Sequence, residues 1–489
     1  MTGKHEKKAA ALSGGMKISV APIVTVLLFA GLWLFGETGI YNDSNQYIAM
    51  HIHREPAYSF FLWGFRSLLG ENGYLEAVRF VQNVLAAFSV LWLSGTLKKQ
   101  FGYGRWMELL VSLLLLSPHI ITPLSSESGL VLSNGIVSEA LGLPLFYIFS
   151  AQCMKMVLER KKGAGISALL LALLLSLVRG QMMFAILLWL AAAIAVCLER
   201  WLIQRQISDG QKAAARQLLL CRAAACILCT ALAFGGRGLL VKSYNLAFNG
   251  FFIGNTFGNV GMLANVLYAA DREDGERIAE EEAREFFYLS YDLAEEKEAN
   301  YKFAPDGFFN RAAHLEKWHD ALKFEMIEEP WRLVHDAEGF TDYIPENVES
   351  DRIAGEIMSA LFPEVFGRWV YDYLALSAYG LIRSVAVVHP VLSWYALAVY
   401  AAAAALAVWT FVRNRASKAA RFAVFAVLAV LANVYATSLI IMCLSRYMIY
   451  GLPLFYTAGL LLVYENLMRI RTGGKAAADR EKKKQESFA

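Results

Sequence analysis

The feature that most constrains this chain is a series of apolar runs, each about 17 to 25 residues long. That is the length an α-helix needs to cross a hydrocarbon core of about 30 Å. Inside such a core every backbone amide must find its partner within its own segment, so each run is predicted to be a helix. Ten such runs cover residues 16–36, 77–97, 107–124, 139–158, 163–178, 182–198, 218–234, 391–412, 422–443 and 450–467. The composition agrees, with 57% hydrophobic and 18% charged residues, where a soluble chain carries about 25% charge. The expected class is an all-α polytopic membrane protein. Its net charge of +3 is parcelled between the spans and gives no nucleic-acid signal.

Orientation follows from the lysines and arginines in the short loops, which stay on the cytoplasmic side. Lys4, Lys7 and Lys8 precede the first run, and no small-residue cleavage site follows it cleanly. It therefore reads as a retained first helix rather than a signal peptide. Lys98, Lys99 and Arg105 then mark one inner loop, Arg160 to Lys162 a second, Arg205 to Arg216 a third, and Arg413 to Arg421 a fourth. The basic tail from Arg469 is also inside. Residues 163–198 are too long for one span, since a single helix would reach about 50 Å. Arg179, Gly180 and Gln181 break the run, so a hairpin with its turn outside is expected.

The predicted organisation has four parts: an N-terminal membrane module, 1–236, with a functional first outer loop, 37–76; an outer helical segment, 237–390; closing membrane helices, 391–468; and a cytoplasmic tail, 469–489. The outer segment is acidic at its centre and carries Phe286, Phe287, Tyr288, Trp318 and Trp331, which argues for a folded unit rather than a linker. The six cysteines lie in or beside apolar runs without metal-ligand spacing and read as buried small side chains.

Charged groups at helix ends and in structured outer loops carry the functional signal of a membrane protein. In the first outer loop, Asp43 and Ser44 are placed to cap a short helix over 45–53. Pro56 can open a second helix, 57–69, apolar but too short to span, which belongs in the interface. His51 and His53 on the first of these would point to opposite sides, which disfavours a shared metal site.

Asp43, Tyr47, the Arg54-Glu55-Pro56-x-Tyr58 segment and Gly70 resemble the first outer loop of the GT-C membrane glycosyltransferases. The similarity is greatest to their protein-mannosyltransferase-like and galacturonosyltransferase-like branch. Ser138-Glu139 at the fourth run is similar to the acidic pair of their second outer loop, and Ser445-Arg446-Tyr447 before Pro453 to the Arg-Tyr pattern ahead of their last helix. Ser59 stands where many members carry proline, and residues 237–390 are poorly covered by the resemblance.

The resemblance implies inverting transfer of a sugar from a polyprenyl-phosphate donor to a lipid, glycan or protein acceptor outside the cytoplasm. It places the enzyme in the plasma membrane of a bacterial cell envelope. Such a displacement needs a carboxylate to take the acceptor proton and cations to stabilise the departing phosphate. Asp43 is the expected base, with Glu139 or Glu127 as second carboxylate. Arg54, Arg179, Lys242 and Arg446 are the outer-side cations for the phosphate, and Tyr47, His53, Tyr58, Glu127 and Tyr447 are candidates to line the substrate site. No cofactor is required, and a divalent metal is left open.

Each candidate has a plainer reading. Asp43 can be a helix cap, Glu139 a favourable charge at a helix N-terminus and Arg179 an interfacial side chain; Arg54 can simply pair with Glu55. A transporter of lipid-linked glycans should show related halves and charges near the midplane, which are not seen. A polysaccharide polymerase or ligase would build its site from a large late loop, and 237–390 leaves that alternative standing.

Overall fold

A computed structural model describes residues 19–125, 129–205, 212–256, 258–334, 344–386 and 392–488. Every regular element among the described residues is a helix, and there is no strand among them. Seven segments are long and apolar enough to cross a membrane: Tyr74–Phe101, Arg105–Ser125, Ser138–Glu159, Gly180–Leu202, Ala214–Asn249, Ser393–Arg413 and Lys418–Ser438. Val20–Phe35 and Gly163–Val178 are apolar but shorter. The last expected run lies within Leu452–Phe488, outside those seven. The protein is therefore a helical, membrane-embedded bundle.

At the centre of the bundle lies Ser138–Glu159, buried on all sides and packed against the helices Tyr74–Phe101 and Lys162–Val178. A helix apolar around its whole circumference belongs inside, and Leu143, Phe146, Phe149 and Met154 of this one are fully buried. The break at Arg179 is real. One helix ends at Val178, a 3₁₀ turn covers Gly180–Met183, and a second helix starts at Phe184. The indole of Trp189 donates to the Gly165 carbonyl at 2.8 Å, closing the expected hairpin.

Two stretches differ from expectation. The run predicted to end near residue 234 continues as one helix, Lys212–Asn249, through Gly235, Gly236 and Gly238. Each glycine costs about 1 kcal/mol in a helix, yet Arg237 in their midst is held by tertiary contacts, donating to the Ser176 carbonyl at 3.3 Å. The helix predicted over 45–53 is only Ser44–Ile48. Met50 then takes a positive φ of 55°, turning the chain so that the His51 amide bonds back to the Gln46 carbonyl at 2.9 Å. His51 and His53 consequently lie side by side, with ring centres 4.4 Å apart, not on opposite faces. Pro56–Leu69 forms as predicted, with Pro56 in its first turn. It buries Tyr58 and Leu62 while exposing Phe60, Trp63 and Leu68.

The two loops at this end of the bundle are clamped together. Gly39 donates to Asn134 at 3.0 Å and receives from Ile136 at 2.9 Å. Gln82 bonds the Ser133 and Gly135 carbonyls at 3.1 Å each, and Ser44 Oγ donates to Ile136 O at 2.7 Å. Gly36 is required here, because a Cβ would meet the Asn134 amide at 2.3 Å.

The polar unit has its own core, built from Gly258–Ala269, Glu281–Glu296, Phe308–Lys323 and the long helix Ile344–Arg383. Asp351 accepts from the Asn259 amide at 3.0 Å and the Val260 amide at 3.4 Å, satisfying the first turn of Gly258–Ala269. The unit is seated on the bundle through Arg383, which pairs with Glu316 at 2.8 Å and donates to Cys443 O at 2.9 Å. Thr256 reaches His53 at 2.7 Å.

Candidate functional site

Asp43 opens the short helix Ser44–Ile48, but its side chain makes no cap hydrogen bond. The carboxylate turns to Arg54 instead, with Oδ1 2.7 Å from Nη2, while Arg446 Nη2 stands 3.7 Å from Oδ2. Arg54 is itself fixed by Gln46 at 2.6 Å and lies 5.1 Å from the Tyr47 ring centre. The side chains of Asp43, Arg54 and Arg446 remain 21, 20 and 26% exposed, so the cluster is partly open to solvent.

A second centre lies beside it. Glu139, fully buried in the first turn of Ser138–Glu159, has Oε1 2.9 Å from Arg179 Nη1. That nitrogen directs its hydrogen to Ser138 Oγ at 3.1 Å. Gln181 holds Arg179 Nε at 2.9 Å and is anchored by donating to Asn433 at 2.7 Å and Thr437 at 2.8 Å. Asn433 in turn donates to the Tyr447 carbonyl at 2.9 Å.

Tyr447 joins the two centres. Its ring lies between the guanidinium groups of Arg179 and Arg446, whose central carbons are 4.5 and 4.8 Å from the ring centre. Its hydroxyl accepts from Arg446 Nη2 at 2.7 Å. Cations over an aromatic face gain about 0.5 to 2 kcal/mol, which helps keep two like charges close. Residues near 43, 139, 179 and 446 thus meet at the end of the bundle facing the polar unit.

The charge balance sets the chemistry. Burial pushes the Asp43 carboxyl up, but the guanidinium groups of Arg54, then Arg446 and Arg179, outweigh it and hold the group below the usual carboxylate range. Asp43 is an anion at neutral pH. Burial pushes His51 down to about 4, with Arg54 adding to it; burial also takes His53 well below its ordinary value. Both imidazoles are neutral. Lys323 of the polar unit lies within electrostatic reach of Arg54 and Asp43, and burial lowers its ammonium to about 8 despite Glu328.

Other predicted residues serve differently. Tyr47 and Tyr58 are buried and meet edge to face at 5.0 Å, with the Tyr58 hydroxyl donating to Gln82 at 2.8 Å. Tyr47 forms the floor beneath Arg54, and Tyr58 backs it. His53 is buried against Thr256. Lys242 is exposed, its ammonium 5.9 Å from the Phe252 ring centre, apart from the arginines around Asp43. Glu127 lies outside the described residues.

Gln46, Gln181 and the Glu55–Arg237 pair at 3.4 Å were not singled out from sequence. Gln181 left a signal as part of the break in an apolar run, and Glu55 as part of the Arg54-Glu55-Pro56 segment, but neither partner was indicated. Among the described residues no group of three or more His, Cys, Asp or Glu is placed to hold a metal ion. The chain matches no protein-family model, no curated protein and no solved structure.

Proposed function

We propose that this chain is an inverting glycosyltransferase of GT-C type with ten membrane spans, working at the extracytoplasmic face of a bacterial plasma membrane. It moves a sugar from a polyprenyl-phosphate donor to a lipid, glycan or protein acceptor. The observation that carries the reading is the meeting of Asp43 with Arg54 and Arg446 in a partly open cluster, backed by the Glu139–Arg179 pair.

Asp43 is the base. In the free enzyme its charge is neutralised by the two arginines, which weakens it as a proton acceptor. A donor phosphate competes for both guanidinium groups, because Arg grips phosphate bidentately. Once they turn to the phosphate, Asp43 regains basicity where the acceptor hydroxyl must lose its proton. Arg54 and Arg446 then stabilise the negative charge on the leaving phosphate, the group whose charge grows in the transition state. Glu139 and Arg179 are too enclosed to exchange partners this way and hold Tyr447 and Arg446 in position. The test is transfer by purified protein in nanodiscs from a series of polyprenyl-phosphate hexoses and pentoses. Transfer lost in Asp43→Asn supports the reading, and transfer at the wild-type rate in that variant refutes it.

A further inference from the structure

The polar unit contains a second built site. A cavity of about 500 Å³ is lined by Tyr301, Lys302, Asp306, Arg311, Arg368 and Tyr371, with Gly307 and Gly367 at its wall. Its volume falls in the range of small-molecule clefts. Tyr371 lies twelve residues before Arg383, where the long helix meets the bundle, hence about 18 Å up that helix. The cavity is separate from the Asp43 centre.

Its charges are already answered. Arg311 pairs with buried Asp372 through Nε, and through Nη2 at 3.0 Å. Arg368 pairs with Asp271, and with Asp274 at 3.2 Å. Lys302 Nζ lies 3.0 Å from Asp271 Oδ1. Here four carboxylates, Asp271, Asp274, Asp306 and Asp372, face three cations, whereas around Asp43 three arginines face two carboxylates; without an excess of positive charge the cavity offers little to a phosphate or polyanion. Its cations do supply N–H donors in fixed directions next to carboxylate acceptors, the pattern that matches neighbouring hydroxyl groups.

The aromatic wall is fixed as well. Tyr301 lies between Arg311 and Arg368, whose guanidinium carbons are 4.9 and 5.0 Å from its ring centre, and its hydroxyl accepts from Arg368 Nη1 at 3.0 Å. Tyr371 has Arg311 at 5.3 Å and Phe308 edge-on at 5.4 Å, yet stays 41% exposed. An aromatic face with negative π density suits the polarised C–H face of a pyranose.

We infer that this cavity is a binding subsite for a neutral saccharide. Resting on the transferase reading, it holds a sugar of a glycan acceptor while another part of that acceptor reaches Asp43. The test is saturation-transfer NMR of the full chain in nanodiscs against neutral trisaccharides of hexose, deoxyhexose and N-acetylhexosamine. At least one is expected to bind, and its affinity should survive a rise in salt. Tyr371→Ala should weaken it by about tenfold, and Tyr371→Phe should retain it, which separates loss of the wall from loss of fold. Binding by none of the panel, equal binding by Tyr371→Ala, or preference for phosphorylated sugars that fades with salt would each overturn the inference. No transfer is measured, so failure here leaves the role of Asp43 to its own assay.

Discussion

Two carboxylate–arginine pairs lie side by side in this protein, and they differ mainly in enclosure. Asp43–Arg54 spans 2.7 Å with both side chains about one-fifth exposed, whereas Glu139–Arg179 spans 2.9 Å with the glutamate 1% and the arginine 13% exposed, so the two pairs differ chiefly at the carboxylate. An open pair can trade its partner for a substrate group. A closed pair cannot, because separating buried charges leaves each uncompensated. On the proposed reading the open pair is the reactive one and the closed pair is structural.

The strongest way to break this contrast is to neutralise each carboxylate. Asp43→Asn keeps the shape, and Asp43 makes no cap bond to lose. Activity should fall by about 10² to 10⁴, with the thermal melt unchanged. A lowered melt with matching loss of activity would make Asp43 structural. Glu139→Ala should do the opposite, losing about 3 to 5 kcal/mol of stability by leaving the largely enclosed Arg179 without its carboxylate, read by denaturation in detergent. An unchanged melt would erase the distinction between the pairs.

Arg446 bears on both pairs, since it faces Asp43 directly and reaches Arg179 only through the shared ring of Tyr447. Arg446→Ala should raise the donor KM by about 10- to 100-fold, the worth of a charge-assisted hydrogen bond. Arg446→Lys should restore it only in part, since an ammonium cannot fork. Equal KM in all three proteins would remove Arg446 from donor binding.

The smallest effect is on pH dependence. Asp43 titrates below the usual carboxylate range, so its contribution is present above that range and lost only as pH falls through the lowered value. The acid limb of kcat/KM, which reports the free enzyme, should lie below the ordinary aspartate value. Arg54→Gln leaves burial less opposed and should move that limb upward. A limb near pH 6 in the unaltered protein, unmoved by Arg54→Gln, would assign it to another group.

Much of the fold was legible because apolar length and loop charge are local properties. The break at Arg179-Gly180-Gln181 and the Pro56 helix start were readable for the same reason. The extension of Lys212–Asn249 was not, since three glycines mark an end locally and only Arg237's contacts with Ser176 and Glu55 override them. Arg54 does not take its plainer pairing with Glu55, for a geometric reason. Glu55 has extended backbone, φ −65° and ψ 146°, which turns successive side chains apart, so Glu55 reaches Arg237 while Arg54 reaches Asp43. Asp43, Glu139 and Arg446 stood out singly as charges at helix ends. Their convergence depends on the clamp between residues 39 and 134–136, a long-range contact that no spacing encodes.

The most direct measurement is a density map of the protein in nanodiscs bearing a polyprenyl-phosphate sugar. The lipid phosphate is expected against Arg54 and Arg446, the sugar beside Asp43, and the Glu139–Arg179 pair unchanged. A phosphate bound elsewhere, with Asp43 still closed on Arg54, would overturn the assignment of Asp43 as the base.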